Sequence, residues 1–487
     1  MASSSKRVAV IGAGISGIAT AAHLKKEGIE VTVFERSNAA GGIWLYDERK
    51  PLEPVYTPVP VSQTGSSYIE SSTTDAERLK HAPPGPCYIG LKNNVSTRLL
   101  ETTLNRFPAG TEDFVSHGVL KDYIQNTAIV AGVHESTIYN TEVKKVSKSG
   151  NLWTVDTTTL AINKEGVTSQ TSDATSFDAV VVASGHYHAP KVPNTSGLAD
   201  WKRRWPDRVQ HSKSYRSPTE YQGKNFLLVG GSVSSTDIAR ELGPFASRIY
   251  QSQRHGAFDL PAGLLPDNGY RVDEVISYDV PTAEEYSPLI ASAAIPATVT
   301  LKSGQKLCDI HHVILCTGYH LTLPFLPQLH SDATPAESAD EHVLVTDGTQ
   351  FHNLHKDIFY ISDPSLAFVG VPFFTATFTL FEFQAMAVAK VFSGQARLPS
   401  EKAMRAEYYR RLKTKGHGKA FHSLRDREAE YVNELLAWVN HDLEEAGRQK
   451  LLGHSEQWHI AREAQVQRMK SLLGTESHER SFQITCQ

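Results

Sequence analysis

Val8-Ala9-Val10-Ile11-Gly12-Ala13-Gly14-Ile15-Ser16-Gly17 is an apolar run that ends in a glycine-rich turn and passes into residues spaced as a helix. The run from Arg7 to Ile11 predicts a buried parallel strand, Ala13 to Glu27 a helix, and Glu30 to Phe34 a second strand closed by Glu35. In such a unit each glycine has its own task. Gly12 permits the tight turn, Gly14 lets the backbone approach a pyrophosphate, and Gly17 lets the helix pack closely on the strand. The helix N-terminus, with Ser16 in its first turn, then faces phosphate charge. Glu35 lies roughly 20 residues on, where a carboxylate accepts hydrogen bonds from a ribose diol, and Arg36 follows it. A carboxylate at that place repels a 2′-phosphate, so the predicted occupant is FAD or NAD rather than NADP.

Gly41-Gly42-Ile43-Trp44 narrows the choice to FAD. It continues directly from the second strand, where the longer body of a flavin must lie along the protein and small residues allow its approach. Gly42, Ile43 and Trp44 therefore join the predicted cofactor set, although Trp44 read by itself is an ordinary core aromatic.

About two hundred residues downstream a second unit follows, Leu227-Leu228-Val229-Gly230-Gly231-Ser232-Val233-Ser234-Ser235-Thr236-Asp237. Asn225 to Val229 reads as a strand, Ser234 to Leu242 as a helix, and Arg248 to Ser252 as the next strand. Only Gly230 holds one of the three usual glycine places, and Ser232 and Ser235 hold the others. Serine is small enough for close approach, and its hydroxyl can donate to a phosphate. At the tip of the following strand, Ser252-Gln253-Arg254-His255 carries no carboxylate, and Arg254 suits the 2′-phosphate of NADPH. Gly230, Ser232, Val233, Ser234, Ser252 and Arg254 form the second candidate set. The competing reading is a helix-capping serine and a solvated arginine in a fold that binds nothing. Two units in this order imply one nucleotide held permanently and another that visits to reduce it.

Further stretches accompany these two: Tyr88-Ile89-Gly90-Leu91-Lys92-Asn93-Asn94, Ala183-Ser184-Gly185-His186-Tyr187, Cys316-Thr317-Gly318-Tyr319, Leu366-Ala367-Phe368-Val369-Gly370 and Glu382-Phe383-Gln384-Ala385. Together they resemble the flavin-containing monooxygenases, a family that neighbours Baeyer-Villiger and N-hydroxylating enzymes. The family's identifying stretch falls on Trp205, Asp207, His211, Tyr215 and Arg216, with Trp in place of Phe and Asp in place of a glycine. The resemblance implies a soluble microbial or fungal member with an α/β fold. Two dinucleotide-binding, Rossmann-like domains are expected, the NADPH domain inserted in the FAD domain, with helices at the C-terminus. It also implies that NADPH reduces FAD and that one oxygen atom of O2 passes to a small-molecule nucleophile. The cofactor carries the hard chemistry, and the protein must chiefly orient it and exclude water. Asn94 is expected beside the flavin, His211 and Tyr215 at the domain junction, and Thr317 and Gly318 with the cofactor. The resemblance favours N-oxygenation of an amine or alkaloid-like metabolite, then S-oxygenation. Baeyer-Villiger oxygenation of a ketone, an NADPH-independent flavin oxidase prompted by Ser232 and Ser235, and a non-catalytic NADP-binding regulator are its rivals.

The division expected from these motifs is 1–190 for the first part of the FAD domain, 191–304 for the NADPH domain, 305–398 for the second part of the FAD domain and 399–487 for a helical region. Val313 to Cys316 is expected to complete the first sheet, and Pro190 and Pro193 mark the outward linker. Two long irregular stretches, Asp47 to Gly85 and Leu260 to Pro296, are candidates for a substrate mouth and a cover over the nicotinamide side. Tyr431, Leu435 and Val439 make an apolar stripe that predicts a packing face.

The 487 residues, 40% hydrophobic and 21% charged, suit about three domain-sized units of a globular protein. A net charge of -4 offers no basic face for nucleic acid. No apolar run reaches ~18 residues, so no membrane span or anchor is expected. Met1 to Arg7 leads straight into the first strand, leaving no room for a signal peptide, and a cytoplasmic location is expected. The four cysteines form no C-x-x-C pair, which argues against dithiol chemistry. The paired histidines lack partners at zinc spacing, so no metal is expected. A homo-oligomer is compatible with the chain, though no heptad or repeat specifies one.

Overall fold

The computed structural model describes residues 6–64, 74–280 and 289–473. Arg7–Ile11 and Glu30–Phe34 pair in parallel, with the helix Ile15–Lys26 between them. Val8, Ala9 and Val10 are fully buried, which is why this strand carries no polar alternation, as befits a sheet covered on both faces. Around the pair grows a seven-stranded sheet in the order Leu354–His355, Phe359–Tyr360, Leu366–Phe368, Ala179–Val182, Arg7–Ile11, Glu30–Phe34 and Thr137–Ile138. The helix Thr377–Phe392 packs along Ile15–Lys26 on one face. An antiparallel meander, Thr141–Ser149, Leu152–Ile162 and Thr168–Phe177, covers the other with Trp153, Val155 and Phe177.

The second sheet has five parallel strands in the order Gly269–Val272, Arg248–Ser252, Asn225–Val229, His312–Leu315 and Val209–His211. Here the sequence expectation is corrected. Val313 to Leu315 pairs with Leu227 to Val229 and does not complete the first sheet. A boundary at 304 would divide this sheet between hydrogen-bonded partners. The first sheet is instead completed by Leu366–Phe368 against Ala179–Val182. An apolar, β-branched run buries equally well in either sheet, and only its long-range partner decides.

The chain leaves the first domain and returns to it at one place. Ala189–Pro190 and Tyr319–His320 form a short antiparallel ribbon, and Lys191 N–H donates to the Gly318 carbonyl at 2.9 Å. The second domain is thus inserted in the first. Three further helices, Glu401–Lys415, Glu428–Glu445 and Glu456–Leu473, pack back on the first domain. Leu435 and Val439 enter its core, and the Tyr431 hydroxyl donates to the Lys356 carbonyl at 2.6 Å. No helix among the described residues is long and apolar enough to cross a membrane. Residues 65–73 and 281–288, within the two long irregular stretches, and the C-terminal tail with Cys486 lie outside the described residues.

Candidate functional site

Gly12 takes φ +103°, and its N–H donates to the Phe34 carbonyl at 2.8 Å. A Cβ there would stand 2.7 Å from the Ala183 carbonyl oxygen, and one on Gly17 would collide with the Gly12 carbonyl. The helix behind the turn has Gly14 as its N-cap and no side-chain cap, so its first N–H groups are left for an anion. Gly41 N–H donates to the Ala13 carbonyl at 3.0 Å, and a Cβ on Gly42 would lie 3.1 Å from the Gly14 Cα. Such a backbone-lined cradle fits a pyrophosphate with an extended body beside it.

Glu35 is buried, and its two carboxylate oxygens accept from Ala13 N–H at 2.7 Å and Ser37 N–H at 2.8 Å. It stiffens the turn and keeps further lone pairs for a ribose hydroxyl. Ser16 donates to the Ala183 carbonyl at 3.3 Å. Arg36 lies 2.6 Å from His188 Nδ1, and burial lowers its pKa. Ile43 and Trp44 sit in a short 3₁₀ turn, Gly42–Trp44, with the indole half-buried on the first core.

The second turn repeats the first. Gly230 takes φ +127°, its N–H donates to the Ser252 carbonyl at 2.8 Å, and a Cβ would stand 2.5 Å from the Cys316 carbonyl oxygen. The helix Val233–Leu242 again starts without a side-chain cap, at Ser232. Ser235, in the place of Gly17, is sealed in the core. It donates to the Ser232 carbonyl at 2.9 Å and accepts from Gln251 Nε2 at 2.7 Å, so its hydroxyl is spent inside the protein. Ser252, a member of the second candidate set, is likewise buried, and its hydroxyl donates to the Asp273 carbonyl at 2.9 Å. Val233 is half-buried and Ser234 exposed at the helix start. Arg254 is exposed and forms no ion pair among the described residues. Asp259, which the sequence did not single out, lies against Gly231, and a Cβ there would be 2.7 Å from its carboxyl carbon.

His211 and Tyr215, expected at the domain junction, are both buried and hydrogen-bonded within the protein. His211 is fully buried, its Nδ1 accepts from Lys213 N–H at 3.1 Å, and its Nε2–H therefore donates to the Gly318 carbonyl at 3.1 Å. Burial pushes its pKa down to about 3, keeping it neutral. Tyr215 is fully buried, and its hydroxyl donates 3.1 Å to Glu241 on the helix of the second turn. Thr317 donates to the Lys191 carbonyl, so with Gly318 it is engaged in the linker ribbon. Lys213 was missed: it is buried, donates to the His188 carbonyl at 2.8 Å, and has its pKa lowered to about 7 by burial, then by Arg36 and Arg216.

The adjacent asparagines divide their work. Asn93 is buried, with its amide donating to the Val95 and Asp113 carbonyls at 2.7 and 2.8 Å and accepting from Val115 N–H at 2.6 Å. That bolt turns Asn94 outward. Its side chain is exposed and bonds to no described residue, while its carbonyl accepts from Gln465 Nε2 at 2.9 Å.

Residues 88–283 match a family model described as flavin-binding monooxygenase-like, and residues 10–79 match an NAD(P)-binding Rossmann-like domain. The flavin-containing monooxygenase ustF2 of Aspergillus flavus is 47% identical over 453 residues, covering 89% of this chain and 92% of that protein. The flavin-containing monooxygenase iboF of Amanita muscaria is 31% identical over 479 residues, covering 89% and 88%. Among solved structures, an S-allyl-L-cysteine S-oxygenase from Allium sativum superposes with a TM-score of 0.69 at 24% identity, over 99% of this chain and 96% of that one, a likeness of fold.

Proposed function

This chain belongs to the flavin-containing monooxygenases, and from that premise we propose that it oxygenates the nitrogen of a small amine or alkaloid-like metabolite, with sulfur as its second target. When bound, FAD supplies the redox and oxygen-transfer chemistry, with NADPH as the source of hydride and O2 as the co-substrate. The observation that supports a two-nucleotide enzyme is the repeated turn: a glycine at positive φ pinned beneath a carbonyl, followed by an uncapped helix, once in each domain. Gly12, Gly14 and Gly17 would cradle the FAD pyrophosphate, Glu35 its ribose, and Gly42 to Trp44 its body. Gly230, Ser232 and Ser234 would receive the NADPH phosphates, with Arg254 free to meet the 2′-phosphate. Asn94 presents an amide that both donates and accepts, and its proposed place is beside the flavin.

The nitrogen preference rests on family resemblance, and its test is direct. Anaerobic mixing of the FAD-loaded protein with NADPH, and separately with NADH, should bleach the flavin absorbance with NADPH first. Aerobic turnover with amines, sulfides and ketones, followed by product mass and position, should then place one added oxygen on nitrogen. Oxidation of sulfides alone would move the target to sulfur, ketone-to-ester conversion would favour the Baeyer-Villiger reading, and absence of bleaching would reject NADPH as reductant. Asn94→Ala is expected to retain FAD while NADPH oxidation loses its coupling to product. Full coupling in that variant would remove Asn94 from the site.

A further inference from the structure

Asn94 lies in a turn gripped from two sides. On one side, Ile89 N–H donates to the Arg216 carbonyl at 3.0 Å and Tyr88 meets Tyr215 edge-on at 5.6 Å, tying the approach to Asn94 to the second domain. On the other side stands the C-terminal helix Glu456–Leu473. Its Gln465 makes two bonds: Nε2 donates to the Asn94 carbonyl at 2.9 Å, and Oε1 accepts from Ser96 N–H at 3.0 Å. One amide thus takes the carbonyl of one residue and the N–H of the residue two places on, the pair of groups a neighbouring strand would bond.

Hydrophobic and aromatic contacts hold the helix in register for this. Trp458 is buried with Leu99, Ala376 and Ala461, and its indole N–H donates to the Leu99 carbonyl at 3.3 Å. Near the other end, the Arg468 guanidinium lies 3.8 Å over the Phe114 ring. The Asn94 side chain bonds to no described residue, so the backbone, which sets its Cα–Cβ direction and its allowed rotamers, is what positions it. Asparagine readily adopts several turn conformations, so a free peptide at this place would scatter that direction.

We propose that Gln465 is a positioning residue for oxygen transfer, fixing the backbone from which the Asn94 amide projects. The proposal rests on the reading of Asn94 given above. It makes the C-terminal helix part of the site through its contact with the segment that carries Asn94.

The test compares FAD-loaded Gln465→Ala, Gln465→Glu and Asn94→Ala in the full chain. Hydrogen-deuterium exchange of a peptide spanning 94–98, the ratio of product to NADPH oxidised, and the KM for NADPH are measured. Gln465→Ala should keep its FAD and melting temperature, exchange the Ser96 amide about fivefold faster, as loss of one hydrogen bond predicts, and leak peroxide with an unchanged NADPH KM. Gln465→Glu keeps an acceptor for Ser96 but sets a carboxylate against the Asn94 carbonyl, so it should protect the amide and still uncouple. If Asn94→Ala uncouples while Gln465→Ala stays fully coupled, the positioning role is overturned and Asn94 stands. If Gln465→Ala uncouples while Asn94→Ala does not, Gln465 acts elsewhere and the proposal fails. Full coupling in both removes the reading of Asn94 and the proposal with it.

Discussion

Glu428 shows how one buried carboxylate can set a pH dependence. It is 2% exposed, and its oxygens accept from Ala376 N–H at 2.9 and 3.1 Å, just before the helix Thr377–Phe392. Burial raises its pKa to about 7, against the opposing pull of the Ala376 bond and the charge of Arg462. The unfolded chain releases this proton near the ordinary glutamate value, about 4.5, and the folded chain only near 7. Its favourable contribution is therefore complete below the unfolded pKa and is lost as pH rises through the folded one. A tenfold change in proton affinity between the two states corresponds to about 1.4 kcal/mol, so the full effect is on the order of 3 kcal/mol. Glu428→Gln keeps a carbonyl for Ala376 and cannot ionise. Its melting temperature relative to the parent should climb between pH 5 and pH 7 and level off above, and a difference that stays flat with pH would show that Glu428 is not the titrating group.

At the scale of elements, the strand, turn and helix units were legible because each residue in them answers to a local demand. Gly12 and Gly230 need positive φ and an absent Cβ, and Val8 to Ile11 and Phe226 to Leu228 need burial on both faces. Gly230→Ala sets a Cβ against the Cys316 carbonyl at a φ that L-residues resist, which costs about 1 to 3 kcal/mol in the turn. That variant should bind FAD normally and lose reduction by NADPH, observed as flavin absorbance that no longer bleaches anaerobically. Normal bleaching would mean that the second turn tolerates distortion. What escaped the sequence depends on partners far along the chain. Val313 to Leu315 has the same pattern whichever sheet takes it, and pairing with Leu227 to Val229 settles the matter. The fates of Ser235, Ser252 and Tyr215 were equally hidden, since a hydroxyl in a motif does not announce whether a buried carbonyl, amide or carboxylate will claim it. Gln465 gave no signal at all, being one polar residue on a largely exposed helix.

Across the whole molecule, the two nucleotide domains meet at the linker ribbon, at the Ile89–Arg216 and Tyr88–Tyr215 contacts, and again at a further aromatic contact. Phe258, on the loop after Arg254, stacks on Phe374 of the first domain with centroids 5.3 Å apart and planes 16° from parallel. Arg425 covers Phe374 at 4.4 Å and bonds the Ala257 carbonyl at 3.3 Å, while Lys419 lies 5.3 Å over Phe258. Phe374 holds φ +59°, a left-handed conformation that costs a bulky residue about 1 to 2 kcal/mol. The ring is thus held in the contact against its own backbone preference. A ribbon alone would act as a hinge, and the stack adds a second contact that restrains that freedom and helps to hold the second glycine turn relative to the first. Aromatic pairs add about 0.5 to 1.5 kcal/mol beyond the area they bury, so Phe258→Ala should free the second domain without unfolding either one. The expected outcome is unchanged FAD content and an anaerobic rate of flavin reduction by NADPH lowered about five- to tenfold, with Phe258→Trp retaining most of the parent rate. A Phe258→Ala variant that is reduced as fast as the parent would show that the linker ribbon and the Ile89–Arg216 and Tyr88–Tyr215 contacts orient the domains without the stack.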